Sequence, residues 1–170
     1  MLMSLRRRTL APRGHTPILP AWNRRDRISA QSAVTISPRR KKRNLYFRTL
    51  PNNQNVKAQD TVAFLRELRR HLPGPLTVVW DRGNTHDRSK AVRVYLSKHP
   101  EIRTERFPGY APELNPDEQV WSHVKYGRLS NFVPKDVADL RRRLRRELHR
   151  VKKRPDLLAN FVRHALPMRI

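Results

Sequence analysis

The stretch FPGYAPELNPDEQVW, residues 107–121, restricts the backbone more than any other part of this chain. It contains three prolines, Pro108, Pro112 and Pro116. Each proline fixes its own φ near about −65° and biases the preceding residue toward extended geometry. The spacing therefore predicts a rigid loop that cannot become helical before Asn115.

A helix is predicted to begin directly after this loop. Asn115 has the chemistry of an N-cap residue, and Pro116 at the first helical position has no N–H to leave unpaired. Asp117 and Glu118 then fall in the first turn, where the helix dipole favours carboxylates. The apolar stripe that would dock this helix on a core consists of Val120, Trp121 and Val124.

The Glu118 carboxylate has two interpretations. Asn115 and Glu118 have the spacing of a capping box, in which the glutamate bonds back to the N-cap amide. Alternatively the carboxylate is functional, and an upstream segment favours this interpretation.

The run LTVVWDRGNTH predicts a short apolar strand, Leu76–Trp80, that ends at Asp81 and is followed by His86. The uninterrupted apolar run predicts a central strand buried on both faces.

Taken together, the two segments resemble the second and third acidic sites of the mariner-type DDE transposases, bacterial insertion-sequence members included. In that family a strand ending in Asp, a nearby His and the motif Pro-Tyr-x-Pro-x-Leu-Asn-Pro-x-Glu-x-x-Trp recur in this order. The extra residue Gly109 separates the first proline from the tyrosine here. The matching residues are Pro108, Tyr110, Pro112, Leu114, Asn115, Pro116, Glu118 and Trp121.

The resemblance implies an α/β fold, a ribonuclease H-like mixed sheet flanked by helices. It also implies metal-dependent DNA strand cleavage and strand transfer in DNA transposition. Asp81, Glu118 and an upstream Asp would hold Mg²⁺ or Mn²⁺, and His86 would position a phosphate or the nucleophile. The alternatives are purely structural roles: Asp81 forms an Asp-Arg-Gly-Asn turn, and His86 caps a helix or packs under the loop.

The family's fold begins with a strand that carries the first catalytic Asp, and no such strand is recognisable in the sequence. We therefore expect an N-terminally truncated catalytic domain lacking the first strand. Two alternatives stay open: an inactive remnant, or a chain whose first Asp and helix-turn-helix come from an upstream-frame polypeptide. None of the other acids is expected to replace the missing Asp, and Asp117 is expected to point away along its helix. The other acids considered are Asp26, Asp60, Asp87 and Glu113.

Charge points to nucleic acid as the partner. The chain has 38 Lys and Arg against 14 Asp and Glu, a net charge of +24, and such an excess repels itself unless it meets a polyanion. The expected partners are transposon ends and target DNA, bound by a homo-oligomer.

No apolar run approaches the roughly 18 residues that span a bilayer, and the chain has no cysteine for a disulfide, a thiolate nucleophile or a cysteine zinc site. We expect a cytoplasmic, nucleoid-associated protein, although the Arg-rich start also suits a mitochondrial transit peptide.

Two basic segments are the candidate DNA-binding residues. One is a predicted hairpin tip, and the other is a helix in which residues 141–154 hold nine Lys or Arg and one Glu. Such a basic segment is either a helix face exposed to solvent or a surface that contacts the DNA backbone. The second interpretation also fits a non-catalytic nucleic-acid-binding protein. The candidate residues are Arg39, Arg40, Lys41, Lys42, Arg43, Arg141, Arg142, Arg145, Arg146, Lys152 and Lys153.

Hydrophobic periodicity predicts the remaining elements. Strands are expected at 27–37, 44–50 and 102–107, and helices at 56–72, 89–98, 116–126, 134–153 and 156–166. The chain then divides into a loop or extended lead-in (1–26), a partial ribonuclease H-like DDE catalytic domain (27–133) and basic C-terminal helices (134–170).

Overall fold

The computed structural model describes residues 10–15, 18, 27–37, 42–81, 83, 85–86 and 88–166. The predicted residues Asp26, Arg39, Arg40, Lys41 and Asp87 lie outside these ranges, as does most of the predicted lead-in. In chain order the elements are β1 (Ala30–Ser37), β2 (Lys42–Thr49), α1 (Ala58–His71), β3 (Leu76–Trp80), α2 (Lys90–Ser97), β4 (Ile102–Arg106), a 3-10 turn (Pro112–Leu114), α3 (Pro116–Ser122) with a π-helical continuation (His123–Arg128), α4 (Val137–Lys152) and α5 (Pro155–Ala165).

Strands β1 and β2 form the predicted antiparallel hairpin, in register from Ala30 opposite Thr49 to Ser37 opposite Lys42. Because side chains alternate along a strand, Leu45 and Phe47 share one face of β2, and this face packs against α4 and α5. The main hydrophobic core therefore lies between the hairpin and the C-terminal helices. Its buried members are Ile28, Leu45, Val120, Val124, Leu129, Val137, Leu140, Leu144, Leu148, Val151 and Leu158.

The C-terminal helices α4 and α5 belong to this core as much as the hairpin does. Asp136 caps α4 by accepting a hydrogen bond from the Asp139 N–H at 2.6 Å, and the leucines and valines of α4 are buried. The predicted division at residue 134 thus marks a change in charge, while the packing continues across it. No helix in the described ranges could cross a membrane, since α4 has only 16 residues and is strongly basic.

The second half of the sheet structure is a strand–helix–strand unit. β3 and β4 pair in parallel, from Leu76 opposite Ile102 to Trp80 opposite Arg106, and α2 makes the crossover between them. A smaller core lies under this pair, built from α1, α2 and both strands. Its buried members are Leu65, Trp80, Val92, Tyr95 and Ile102.

The prediction that β3 is buried on both faces is wrong. Thr77 and Val79 are exposed, and Val79 keeps 47% of its surface accessible. The short apolar run misled the prediction because five residues without a polar break look the same whether one face or both are covered. Only the face that carries Val78 and Trp80 packs against α1 and α2.

The α/β class is confirmed, and it contains both antiparallel and parallel pairing. In the part of the chain that the structure describes, however, the strands form two separate two-stranded sheets, β1–β2 and β3–β4. No described strand pairs with the outer edge of β1 or with the outer edge of β3.

Leu144 tests the position of the main core. Its side chain is fully buried, so Leu144→Ala should lower the free energy of unfolding by about 2–5 kcal/mol through lost transfer energy and a residual cavity. Leu10→Ala removes the same atoms from a fully exposed side chain and should change the free energy of unfolding by less than about 0.5 kcal/mol. Urea unfolding of both variants measures the difference, and equal effects would place Leu144 outside the core.

Candidate active site

Asp81 lies directly after β3, at the carboxyl end of the strand. Its Oδ1 accepts a hydrogen bond from the Gly83 N–H at 2.9 Å, so the Asp-x-Gly turn suggested by the sequence is formed. A Cβ at position 83 would lie only 2.9 Å from that oxygen, which explains the glycine. The side chain is nevertheless 67% exposed, and no described residue hydrogen-bonds Oδ2. Asp81 is therefore both a turn former and an accessible carboxylate.

His86 is held against the same turn. Its ring stacks on Trp80, with centroids 5.0 Å apart and planes 4° from parallel. Nδ1 lies 2.9 Å from Asp81 Oδ1, so a proton on Nδ1 is donated to the carboxylate. The histidine packs beneath the loop, as one of the two sequence-based interpretations expected, and it also contacts the carboxylate of Asp81.

The proline-rich loop leaves the sheet beside Asp81. The Phe107 N–H donates to the Trp80 carbonyl at 3.0 Å, which places the ends of β3 and β4 together. From there the chain passes through Tyr110, which has a left-handed φ of 57° and a fully exposed side chain. Backbone strain of this kind at a non-glycine residue clusters at functional sites.

Helix α3 begins as the sequence predicts, with Asn115 as N-cap and Pro116 at the first position. The Asn115 side chain accepts from the Asp117 N–H at 3.0 Å, and the Glu118 N–H donates to the Asn115 carbonyl at 3.0 Å. The Glu118 carboxylate is exposed and has no hydrogen bond or ion pair within the described ranges. The capping-box interpretation of Glu118 is therefore wrong.

Asp117 is the site residue that sequence reasoning missed. Its Oδ2 accepts hydrogen bonds from Ser32 Oγ at 2.7 Å and from Trp121 Nε1 at 3.1 Å, while its Oδ1 is buried without a partner among the described residues. Burial raises the pKa of Asp117 from 3.8 to about 6, the hydrogen bonds oppose the rise, and the Glu118 charge adds to it.

Two signals in the sequence could have revealed this contact. Ser32 interrupts the otherwise apolar face of β1, and Trp121 follows Asp117 by one helical turn. The expectation that Asp117 points away along the helix is correct only relative to Glu118, because its carboxylate turns into the protein.

Comparisons with known proteins show the family and the fold of the chain. A sequence profile of the DDE superfamily endonucleases matches residues 2–141. The chain belongs to this family. No curated protein sequence matches the chain.

Structures of Mos1 transposase are among the solved structures that are similar to this chain. The Mos1 transposase paired-end complex with left transposon end has a TM-score of 0.51 at 15% identity, covering 94% of this chain and 51% of that one. The Mos1 Strand Transfer Complex also has a TM-score of 0.51 at 15% identity, with 92% and 50% covered. The ribonuclease H-like fold is thereby confirmed, and the chain spans about half the length of these transposase chains.

The structure brings only part of the predicted acidic site together. Asp81 and His86 are in contact, whereas Glu118 lies on α3, beyond the loop that starts at the same sheet edge. No cluster of three His, Cys, Asp or Glu side chains with the spacing of a metal site occurs among the described residues. Glu113 is exposed in the 3-10 turn, and Asp60 caps α1 through its hydrogen bond from the Lys57 N–H at 2.8 Å.

The predicted DNA-binding residues of α4 divide by environment. Arg141 is half-buried, and its Nη2 donates to the Leu50 carbonyl at 3.0 Å and to Asn52 Oδ1 at 2.6 Å. Arg142 pairs with Asp139 at 2.9 Å but remains exposed. The other exposed candidates in the described ranges are Lys42, Arg145, Arg146 and Lys153, while Arg43 and Lys152 are half-buried.

The raised pKa of Asp117 predicts a pH dependence of stability. The folded carboxyl ionises at about 6 and the unfolded one near 3.8, so its contribution is full below pH 4 and is lost as pH rises through 6. The loss is on the order of 3 kcal/mol by neutral pH. Asp117→Asn cannot ionise, so its stability relative to the wild type should improve between pH 4.5 and pH 7.5 by about 2 kcal/mol, the part of the loss that falls in this window, in urea unfolding.

Asp156→Asn is the control for that measurement. Asp156 is exposed and paired with Arg154 at 2.8 Å, and its hydrogen bond to Arg154 lowers its pKa. Its titration is therefore complete below the tested window, and no improvement is expected. A constant offset between Asp117→Asn and the wild type at both pH values would contradict the buried, titrating carboxylate.

Proposed function

We propose that this chain is part of a transposase catalytic domain that cuts DNA strands and transfers them during DNA transposition. One observation carries the proposal. The turn bearing Asp81 and the loop leading to Glu118 leave adjacent strands at one sheet edge, joined by the Phe107-to-Trp80 hydrogen bond. The carboxyl edge of parallel strands is where α/β proteins place their functional groups, and membership of the DDE endonuclease family supports Asp81 and Glu118 as metal ligands.

Asp81 and Glu118 have the donor chemistry of ligands for a divalent metal ion. Asp81 has a free Oδ2, and Glu118 has an exposed carboxylate without a described hydrogen-bond partner. Hard oxygen donors of this kind suit Mg²⁺ or Mn²⁺, which keep water and substrate oxygens as their other ligands. The bound ion would activate a water or 3′-hydroxyl and neutralise charge on the scissile phosphate.

His86 is proposed to position Asp81. The stacked Trp80 fixes the imidazole plane, and the contact from Nδ1 to Oδ1 fixes one carboxylate oxygen. Oδ2 is then left in one orientation for a ligand, an arrangement that lowers the entropy lost on binding.

A third carboxylate is proposed to come from a strand outside the described residues. The support is that no described strand pairs with the outer edge of β1 or of β3, and that Val79 is exposed. An upstream-frame polypeptide that also carries a helix-turn-helix could supply it, and a homo-oligomer would bring two DNA ends together. The alternative is an inactive remnant. Translating the flanking DNA in all three frames and assaying the joined product separates these two cases.

The metal-site assignment is tested by nicking of supercoiled DNA. Asp81→Asn and Glu118→Gln should each lower Mg²⁺-dependent nicking by about 100-fold or more, because each removes a ligand from the ion that stabilises transition-state charge. Asp156→Asn, an exposed acid on α5, should nick like the parent protein. Undiminished nicking in both site variants would refute the assignment. If the chain alone does not nick, the same variants are compared in the joined product.

A second candidate function is non-catalytic nucleic-acid binding. The observation that favours it is the outward face of α4, where Arg142, Arg145 and Arg146 are exposed, as is Lys153 at the C-cap. Both functions predict DNA affinity, so affinity cannot separate them. Mg²⁺-dependent cleavage by the joined protein, abolished in Asp81→Asn, would exclude the non-catalytic function.

The α4 face predicts a specific salt dependence of DNA binding. Arg145→Ala should reduce the slope of log Kobs against log salt concentration by about 0.9, the value for one lost phosphate contact. Arg141→Ala loses the same charge from a side chain bound to Leu50 and Asn52. It should leave the slope unchanged and lower the free energy of unfolding by about 1–3 kcal/mol. Equal slopes for Arg145→Ala and the wild type would exclude this residue from the interface.

A further inference from the structure

A basic cavity lies between β2 and α1, away from the candidate active site. It has a volume of about 430 Å³ and opens to solvent. Its lining holds three arginines and one histidine against a single carboxylate. The lining residues are Arg48, Ala63, Arg66, Glu67, Arg70 and His71.

The arginines of this cavity are incompletely neutralised. Arg66 and Arg70 are exposed on α1 and have no ion pair or hydrogen bond from their side chains in the described part of the chain; the Arg66 guanidinium instead lies 5.9 Å from the centroid of the Tyr95 ring. Arg48 donates from Nη1 to the Asp60 carbonyl at 3.4 Å, and its only ion pair is a long one, 3.9 Å from Nη2 to Asp60 Oδ1, among the described residues. Guanidinium groups with free donors match phosphate oxygens in geometry as well as in charge.

The cavity is continuous with the basic end of α4. His71, the last residue of α1, contacts the Tyr46 ring at a centroid distance of 5.5 Å. Lys152, the last residue of α4, places Nζ 5.0 Å from the centroid of the same ring. Tyr46 therefore joins the carboxyl-terminal ends of the two helices. We call the surface formed by Arg48, Arg66, Arg70, His71 and Lys152 the α1–α4 track.

We propose that the α1–α4 track binds the sugar-phosphate backbone of duplex DNA. A surface that runs from one helix end to another across a β-strand suits an extended polyanion better than a single small anion. None of its residues belongs to the candidate active site, so it is a second DNA contact, one that holds the duplex without cutting it. The inference rests on the proposed function only for the identity of the polyanion.

Binding of a fluorescein-labelled duplex, followed by anisotropy in EDTA over a salt series, tests the track without requiring cleavage. Arg66→Gln/Arg70→Gln should weaken binding several-fold and reduce the salt slope by about two, one unit for each lost phosphate contact. Arg93→Gln/Arg103→Gln removes the same charge from exposed arginines on α2 and β4 and should leave the slope within experimental error of the wild type. Equal losses in the two double variants would overturn the proposal.

Glu67→Gln provides a test with the opposite sign. Removing the one carboxylate from the lining should tighten duplex binding, and because all the arginines remain, this variant keeps the proposal testable if the double variant fails to fold. Weaker or unchanged binding by Glu67→Gln would count against the track.

A free-anion site is distinguished by inorganic phosphate. Protection of the fold by phosphate that is lost in Arg66→Gln/Arg70→Gln, together with unchanged duplex binding, would replace DNA by a small anion and overturn the proposal. Nicking by the joined product is scored separately. Track binding without nicking leaves this inference standing and contradicts the proposed catalysis. Nicking without track binding overturns this inference and leaves the proposed catalysis standing.

Discussion

The contact of Asp117 with Ser32 and Trp121 holds helix α3 against the hairpin, and the exposure of Glu118 depends on it. Ser32 Oγ donates to Asp117 Oδ2 at 2.7 Å and accepts from Trp121 Nε1 at 2.8 Å. Successive residues of a helix point about 100° apart. Because Asp117 is turned into the protein, its neighbour Glu118 is turned out toward solvent. A structural acid and a candidate catalytic acid thus occupy adjacent positions with opposite environments.

A second constraint comes from packing a strongly basic helix onto an apolar core. Glu147 is the one acid in the central part of α4, and it is 1% exposed. Its carboxylate accepts from Arg150 at 2.9 Å and lies 3.2 Å from Arg143. A buried carboxylate without such partners would cost several kcal/mol. Glu147 neutralises arginines at the border of the core, and the remaining cations of the helix are left for solvent or for a polyanion.

Local sequence signals predicted most of the elements. The hairpin, the five helices and the start of α3 at Asn115 were predicted within a few residues, because turns, caps and periodic apolar stripes are properties of neighbouring residues. Coverage of β3 was predicted wrongly, since the exposure of Val79 depends on which elements lie on either face of the strand. The same limit applied to Glu118, whose capping-box spacing is present in the sequence and whose hydrogen bond is absent from the described structure.

By itself the sequence determined the rigid loop, the helix that follows it, the strand ending at Asp81 and the family to which the chain belongs, since each depends on residue types at fixed short spacings. Only the tertiary structure decided which acid is buried and which is free. Ser32 and Asp117 are 85 positions apart, and Tyr46 receives His71 and Lys152 from two different helices. Contacts over such separations arise from the packing of whole elements against one another, and no local spacing encodes them.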